Sequence, residues 1–365
     1  MENKLSVKDA KIRNQIVLVR TDYNVPIENG EVASDFRIRA SLPTIEFLLK
    51  KGAKKVILIS HLGRPEGKKT KDLSLKPVAL KLAELLPGVP VEFVDDVSGP
   101  DVEDAVSGLK KGGVLLLENL RFYPGEEKNS EDFIREIIDT TGATVYVQDG
   151  FAVIHRAHAS TSAASKQLPI YAGLLLEKEI SNLEKVLKSP KKPLMLMLGG
   201  AKVEDKTPLI KAFKNLADHI CIGGKIAADG LPKEILDDPA LKEKLYVAKD
   251  FDTDSEGNKL DCGPLSTHKI IETAKKSKTV IWNGLLGKAE DPAFATSSEA
   301  FLKTLGESPQ ITSIILGGDT TGFAEETLKS SPELSFSLLS TGGGAALEYL
   351  AGKSLPGLEA IENTI

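Results

Sequence analysis

Residues 193–206 read Pro193-Leu-Met-Leu-Met-Leu-Gly-Gly-Ala-Lys-Val-Glu-Asp-Lys206. An unbroken apolar run ended by paired glycines is the pattern of a strand buried on both faces. The glycines let the backbone turn tightly at the strand's end, and the turn is expected to leave peptide N–H groups open to an anion where a helix begins. Lys202 and Lys206 are four residues apart, so a helix here sets both ammonium groups on one face, with Asp205 beside them to orient a lysine. That is a phosphate cradle. The plainer alternative is an ordinary strand-to-helix turn with two solvated lysines.

Downstream the same joint recurs. A helix is expected near Leu209–Leu216, and a strand at His219–Ile222 ends in Gly223-Gly224-Lys225. Thr279–Trp282 leads to Asn283-Gly284-Leu285-Leu286-Gly287, Ser313–Leu316 to Gly317-Gly318-Asp319-Thr320, and Phe336–Leu339 to Ser340-Thr341-Gly342-Gly343-Gly344. Repeated strand, glycine and helix joints turn several helix N-termini toward one sheet edge, which suits a polyphosphate. Neither GxGxxG nor GxxxxGK[ST] is present, so the usual dinucleotide and P-loop fingerprints are excluded. Residues 230–265 are less regular.

Upstream the strand ends are basic instead of glycine-rich. Ile16–Arg20 precedes Asp22 and Asn24, Val56–Ser60 precedes His61 and Arg64, Val114–Leu117 precedes Arg121, and Thr144–Val147 precedes Asp149, His155 and Arg156. A further strand falls at Val91–Val94. Helices are expected over Asp35–Lys51 with Ser34 as cap and Gly52 at the end, over Leu75–Leu86 with Ser74 as cap, near Val102–Leu109, and from the Ser130 cap to Asp139. This alternation predicts an α/β fold with parallel sheets covered on both faces, whose ligands bind outside the carboxyl ends of the strands. Asp22, Asn24, His61, Arg64, Arg121 and Arg156 should therefore gather at one edge, joined by Arg37 from the first helix. Arginines pair bidentately with carboxylate and phosphate, so this edge is a site for a small, multiply charged anion.

The chain of 365 residues exceeds the usual size of one core, and the amphipathic stretch Leu174–Leu187, ending before Ser189-Pro190, is the expected link between two domains. A net charge of −5 argues against a nucleic-acid binder and makes any basic site local. Cys221 and Cys262 fall in no metal-ligand or redox pattern, and the first residues lack a signal-like apolar run. No run approaches membrane-spanning length. A cytoplasmic protein with no membrane partner is expected.

Taken together, Arg20-Thr-Asp-Tyr-Asn-Val-Pro26, Ser60-His-Leu-Gly-Arg-Pro65, Glu118-Asn-Leu-Arg-Phe122, His155-Arg-Ala-His-Ala-Ser160, Gly199-Gly-Ala-Lys-Val-Glu-Asp-Lys206 and Ser340-Thr-Gly-Gly-Gly-Ala345 resemble the signatures of the phosphoglycerate kinases. The resemblance covers nearly the whole chain. It implies reversible phosphoryl transfer between 1,3-bisphosphoglycerate and ADP, giving 3-phosphoglycerate and ATP in glycolysis, with Mg²⁺. It also implies two Rossmann-like, doubly wound parallel-sheet domains joined by a helix, with the active site in the interdomain cleft. The expected limits are 1–172 for the 3-phosphoglycerate domain, 173–188 for the connecting helix, 189–345 for the nucleotide domain, and 346–365 for a segment returning to the first domain, Leu355–Ile365 being its tail. A monomer is expected.

Carried over by position, Asp22, Asn24, Arg37, His61, Arg64, Arg121 and Arg156 hold 3-phosphoglycerate. Lys202 and Lys206 match the phosphate-binding lysines, Asn283 the nucleotide asparagine, Glu290 the ribose carboxylate, and Gly317, Gly318, Asp319 and Thr320 the nucleotide turn, with Asp319 meeting the metal. Asp319 also reads as a plain helix N-cap. Lys202, Arg37 and the helix start at Gly342, Gly343 and Gly344 would neutralise the moving phosphoryl group, because such transfer depends on positioning and charge stabilisation. Departures from the family cluster in the nucleotide half. Lys225 replaces a glycine, Leu285 a proline, Ala289 an aromatic and Leu316 a glycine, and the segment 226–262 is short. In the first half Gln148-Asp149-Gly150-Phe151-Ala152 replaces Asn-Asp-Ala-Phe-Gly. Lys225 is expected either to intrude on the base slot or to turn toward the phosphates, leaving fewer apolar walls for adenine and a preference open to other purines. Two alternatives belong to other classes: a non-catalytic relative that keeps the anion site as a binding module, and a nicotinamide-dependent dehydrogenase. The retained set Arg37, Lys202, Lys206 and Asp319 speaks against the first, and the missing fingerprint against the second.

Overall fold

Val17, Leu18 and Val19, then Val56 through Ile59, then Val114 through Leu117 are all inaccessible to solvent, so aliphatic side chains fill both faces of these strands. They belong to a computed structural model that describes Met1 and residues 3–364. Glu2 and Ile365, which the expected first domain and returning tail include, lie outside the described residues. The chain divides into two compact units, Met1–Ser181 with Ser354–Ile365, and Asn182–Lys353.

The first unit is built on β1 (Ile16–Arg20), β2 (Lys55–Ile59), β3 (Val91–Val94), β4 (Gly113–Leu117), β5 (Val145–Gln148) and β6 (Ile170–Ala172). They form one sheet in the order β3-β4-β2-β1-β5-β6, parallel at every pairing. Arg20 pairs with Ile59 on one side and Gln148 on the other, so β2, β1 and β5 end level and their following loops emerge together. The helix Phe36–Lys50 buries Ile38, Ile45 and Leu48, each side chain contributing about 1.5–3 kcal/mol. Gly52, at φ +80°, closes that helix in the left-handed conformation. Its N-cap position is Asp35, not Ser34, with no side-chain cap. Ser74 Oγ accepts from Lys76 N (3.2 Å) at the start of the helix Lys76–Leu85, as a cap does, and its hydroxyl also donates to Glu118 (2.6 Å). Ser130 does cap the helix Glu131–Thr141, accepting from Phe133 N.

The second unit repeats the principle with β7 (Leu194–Leu198), β8 (His219–Ile222), β9 (Leu245–Val247), β10 (Thr279–Asn283), β11 (Thr312–Leu316) and β12 (Leu338–Leu339). Their order, β9-β8-β7-β10-β11-β12, is that of dinucleotide-binding sheets, again parallel throughout. The helix after β7 spans Val203–Phe213, earlier than the expected Leu209–Leu216, and carries Pro208 within it. The expected irregular stretch contains β9 and a two-stranded antiparallel ribbon, Phe251–Thr253 with Lys259–Cys262.

The helix Leu174–Lys188 is continuous and the division between the units falls inside it, so its residues are shared between the two units. The helix Gly344–Leu350 stays with the second unit, where it packs on Val203–Phe213. The returning segment therefore begins at Ser354 instead of 346. It buries Leu355 and Ile361 and bonds to the chain's beginning through a Lys4–Asn363 bridge and Leu5 N donating to Glu362 O (2.9 Å).

At the start of the helix Leu174–Lys188, Asp149 Oδ1 accepts from Leu175 N (3.0 Å) and Leu176 N (3.3 Å), while Oδ2 has no hydrogen-bond partner among the described residues. Burial pushes this carboxyl up to about 7, against the lowering effect of Thr44 and the two amides. Between pH 7 and about 4 the folded chain holds a proton here that the unfolded chain has lost, so this group's contribution to stability rises as pH falls through 7. Asp149→Asn keeps the accepting oxygen and removes the titration. Urea unfolding of both proteins at pH 8 and pH 5 is expected to show the wild type gaining on the variant toward acid; a difference that does not change with pH contradicts the assignment.

Candidate active site

β1 ends in a guanidinium wholly shielded from water. Arg20 Nε donates to Ser160 Oγ (2.6 Å), Nη1 donates to the Thr21 carbonyl, and Nη2 lies 3.8 Å from Glu126 Oε1. Glu126, equally buried, accepts from Ser160 N (3.1 Å) and Ser160 Oγ (2.6 Å). A buried ion pair persists only when its remaining donors and acceptors are used, and this one meets that condition. Arg20 Nη2 also lies 3.3 Å from His61 Nδ1. A guanidinium can only donate, so Nδ1 is the acceptor and the ring proton sits on Nε2. Burial first, then Arg20, Arg121 and Arg37, hold the His61 pKa well below the ordinary imidazole value. His61 is therefore a neutral ring with one N–H to offer.

The loops after β1, β2 and β4 are laced to one another. Asp22 pairs through Oδ2 with Arg37 and through Oδ1 accepts from Asn24 N (3.0 Å). Asn24 Oδ1 accepts from Gly63 N (2.9 Å), whose carbonyl accepts from Arg121 Nη1 (2.8 Å). Asn119 holds the short turn that carries Arg121, accepting from Arg121 N (3.0 Å) and donating from Nδ2 to Leu62 O (2.7 Å). After β5, Arg156 Nε bonds His155 Nε2 (3.3 Å). Arg64 stands exposed, with no ion-pair partner among the described residues. Burial, with Arg20 and Arg156 nearby, pushes Arg121 down to about 10, and burial with Arg121, Arg20 and Arg156 pushes His158 down to about 4. Burial is the larger cause of both shifts; the neighbouring cations add a positive field, partly offset by Glu127, whose Oε1 lies 3.4 Å from Arg121 Nε, and a bound anion would relieve the rest. Arg20, Glu126 and Ser160 were not singled out by sequence, since a charged residue closing an apolar strand gives no sign that it is buried.

In the second unit a cavity of about 610 Å³ opens at the carboxyl edge, within the range of small-molecule sites. Lys202, Lys206, Asn283, Glu290, Gly317, Gly318, Asp319 and Thr320 all line it. Gly343 and Gly344 do so too, whereas Gly342 is not among the lining residues and its N–H is donated to Ser340 Oγ (3.0 Å). Two further expectations fail here. The N–H groups of Gly199 and Gly200 are not open, because they donate to Asn283 O (3.0 Å) and Leu285 O (2.8 Å). A Cβ added at Gly199 would sit 2.2 Å from Leu285 O, and one at Gly284 2.2 Å from Gly199 O, so these glycines permit two backbones to touch. Nor do the two lysines share a helix face. Lys202 is the extended N-cap residue and exposed, while Lys206 reaches Asn283 Oδ1 instead of Asp205. Burial lowers the Lys206 pKa, opposed by Asp205 and Asp319.

Asn283 is itself held by Nδ2 donating to Leu316 O (2.9 Å), and Thr320 Oγ1 accepts from Gly284 N (2.8 Å). Lys225 takes neither expected course: its ammonium pairs with Asp229 (3.0 Å) on its own helix, at the cavity's margin. Lys259 and Leu260 from the ribbon, with Lys288, also line the cavity and were not anticipated, since no glycine-rich strand end precedes them.

The family model for phosphoglycerate kinase matches residues 7–234 and 231–353. The chain belongs to the phosphoglycerate kinase family. The break between the two matches falls within the short 226–262 segment. Phosphoglycerate kinases of Dictyoglomus turgidum and Moorella thermoacetica are 40% and 42% identical, aligned over 98% of this chain and 98% and 99% of theirs. Among solved structures, phosphoglycerate kinase from Pyrococcus horikoshii superposes with a TM-score of 0.83 at 29% identity, and that from Coxiella burnetii with 0.79 at 30%, each covering 98% of both chains. This family membership makes the chain a phosphotransferase with ATP and ADP as co-substrates, and it favours an active kinase over a non-catalytic anion binder or a dehydrogenase.

The tautomer and charge of His61 are open to direct measurement. Nitrogen-15 shifts of the imidazole should report an Nε2–H ring that does not titrate between pH 5 and 8. Because the folded ring binds its proton less readily than the unfolded one, this group's contribution to stability falls as pH drops below about 6.5. A midpoint near that value in the folded chain, or an Nδ1–H ring, is incompatible with the Arg20 contact.

Proposed function

We propose that this phosphoglycerate kinase binds 3-phosphoglycerate at the basic edge of the first unit and the nucleotide in the cavity of the second. The observation that supports this most is the gathering of Arg37, Arg121 and Arg156 about His61 and His158 at one sheet edge, with Arg64 exposed and without an ion-pair partner among the described residues. In this reading Asp22, Asn24, Arg37, His61, Arg64, Arg121 and Arg156 bind the acid. Lys202 and Lys206 take nucleotide phosphates, with Gly317, Gly318 and Thr320 at the start of the helix Gly318–Ser330 adding N–H groups and the positive end of the dipole. Asn283 fixes Lys206, and Glu290 accepts from ribose.

A carboxylate oxygen of 3-phosphoglycerate attacks the terminal phosphorus of ATP, and the bond to the ADP oxygen breaks; the reverse step makes ATP. No protein atom forms a covalent bond. Lys202, free of any ion pair among the described residues, and Arg37 neutralise charge as it spreads over the transferring oxygens. Gly343 adds a backbone donor, whereas the Gly342 N–H is already committed to Ser340. No three His, Cys, Asp or Glu side chains converge among the described residues. Asp205, Glu290 and Asp319 are the carboxylates on the cavity wall, and Asp319, at the start of the helix Gly318–Ser330, would meet Mg²⁺ held mainly by phosphate oxygens and water, where the cation would offset negative charge on the nucleotide. Transfer also requires the two ligands to be brought together, so closure on binding is part of the proposal, as is action by a cytoplasmic monomer.

A coupled assay with 3-phosphoglycerate, Mg²⁺ and ATP tests the reading. Lys202→Ala is expected to lower kcat by about 10² to 10³ with 3-phosphoglycerate binding little changed. Arg64→Ala is expected to weaken 3-phosphoglycerate binding by about 1.5–3 kcal/mol. Wild-type turnover in Lys202→Ala would remove that residue from the mechanism.

The nucleotide preference follows from the cavity wall. Its apolar part comes from Leu260, Leu285 and Leu347, against cations at Lys225, Lys259 and Lys288. The Lys225 pair with Asp229 is exposed, and such pairs are worth under about 1 kcal/mol, so a phosphate readily redirects the ammonium. Calorimetry should find ADP and GDP binding within about tenfold of each other, both weakening with salt, and the salt dependence reduced in Lys225→Gly. A strong ADP preference identical in both proteins would show that Lys225 is not part of the selection.

A further inference from the structure

Apart from both clusters, the first unit holds a second cavity of about 470 Å³, walled by the segment Lys69–Lys76, by Phe93 and Asp95 at the end of β3, and by Glu118 and Phe122 beyond β4. Its charges are unequal in what they still have to bind. Glu118 is buried, and its oxygens accept from Ser74 Oγ (2.6 Å), Leu75 N (2.8 Å) and Asn119 N (2.7 Å). Asp95 is paired with Lys69, whose Nζ lies 3.1 Å from Oδ1. Both carboxylates are thus already engaged. The ammonium groups of Lys71 and Lys76 have no acidic partner among the described residues. What remains is two free cations over a wall with two phenyl rings.

We propose that this cavity is a binding site for a small organic anion carrying a flat apolar group, its charge on Lys71 and Lys76 and its apolar face against Phe93 and Phe122. A hydrated inorganic ion leaves the rings unused, and a neutral ring leaves the ammonium groups unpaired; only a ligand with both parts uses the whole wall. The site is joined to the basic edge. Asn119 Nδ2 donates to Leu73 O (3.0 Å), at the cavity's rim, and to Leu62 O (2.7 Å), beside Gly63 and Arg64. Its side-chain oxygen holds the backbone of Arg121. A ligand that shifts the 71–74 segment therefore acts through Asn119 on the two loops that carry Arg64 and Arg121, and occupancy of the two sites is coupled.

The test uses the full chain with 3-phosphoglycerate and Mg²⁺–ADP present to fill the other anion sites. Phenyl phosphate, inorganic phosphate and phenol are titrated by calorimetry into the wild type and into Lys71→Ala/Lys76→Ala, both exposed positions. Phenyl phosphate is expected to bind saturably and at least about tenfold tighter than either fragment, and to lose this binding in the double variant. A second readout is the 3-phosphoglycerate KM, expected to change several-fold with phenyl phosphate in the wild type and not in the variant. No saturable binding, or equal binding by the double variant, overturns the site. Binding with an unmoved KM overturns the coupling through Asn119. Inorganic phosphate binding as tightly as phenyl phosphate overturns the role given to Phe93 and Phe122.

Discussion

A parallel strand buried on both faces has no room for a polar side chain along its length, so the chain's chemistry is confined to where its strands stop. Most of the residues proposed for function obey that constraint. Arg20 and Asn283 are the last residues of their strands, and Asp22, His61, Arg121, Lys202 and Asp319 lie within a few residues of a strand end. Level registers then set those ends side by side, through Arg20 between Ile59 and Gln148 in one sheet and Asn283 between Leu198 and Leu316 in the other. The same architecture yields two unlike sites because the residues allowed past the last apolar position differ: arginine and histidine in the first unit, glycine and lysine in the second.

The two edges also treat charge differently. In the first, Arg20 is spent internally on Glu126, Ser160 and His61, and it sets the electrostatic and hydrogen-bonding state of its neighbours at that edge. In the second, Lys206 is part-buried and tied to Asn283, while Lys202 remains exposed and without an ion-pair partner among the described residues. A fixed lysine and a free one suit a ligand that must be held at one phosphate and stabilised at another as the reaction proceeds.

Most of this was legible because periodicity and strand-end position need only local sequence. The strands from Ile16 to Leu316 and the edges they form follow from apolar runs, and the eight residues expected around the nucleotide all line one cavity. What escaped reading depended on partners far away in the chain. Gly199 looked like an open anion turn, yet its N–H meets Asn283 and its missing side chain makes room for Leu285. Ser74 does accept from Lys76 N at its helix start, but the bond from its hydroxyl to Glu118, forty-four residues on, had no local sign. Lys259 and Leu260 reach the cavity on a short ribbon in a stretch without periodicity, where nothing local marks a wall.

The union of Lys4 with Asn363, and of Leu5 with Glu362, has a consequence for how the chain is made. Synthesis delivers the first unit's sheet early but its closing segment last, so the second unit, contiguous from Asn182 to Lys353, is complete on the ribosome before the first can be. Until residues 354–364 emerge, Ile154 O lacks the Gly357 N–H and Lys4 and Leu5 lack their partners Asn363 and Glu362, so the unit formed from the earliest residues is the last to be sealed.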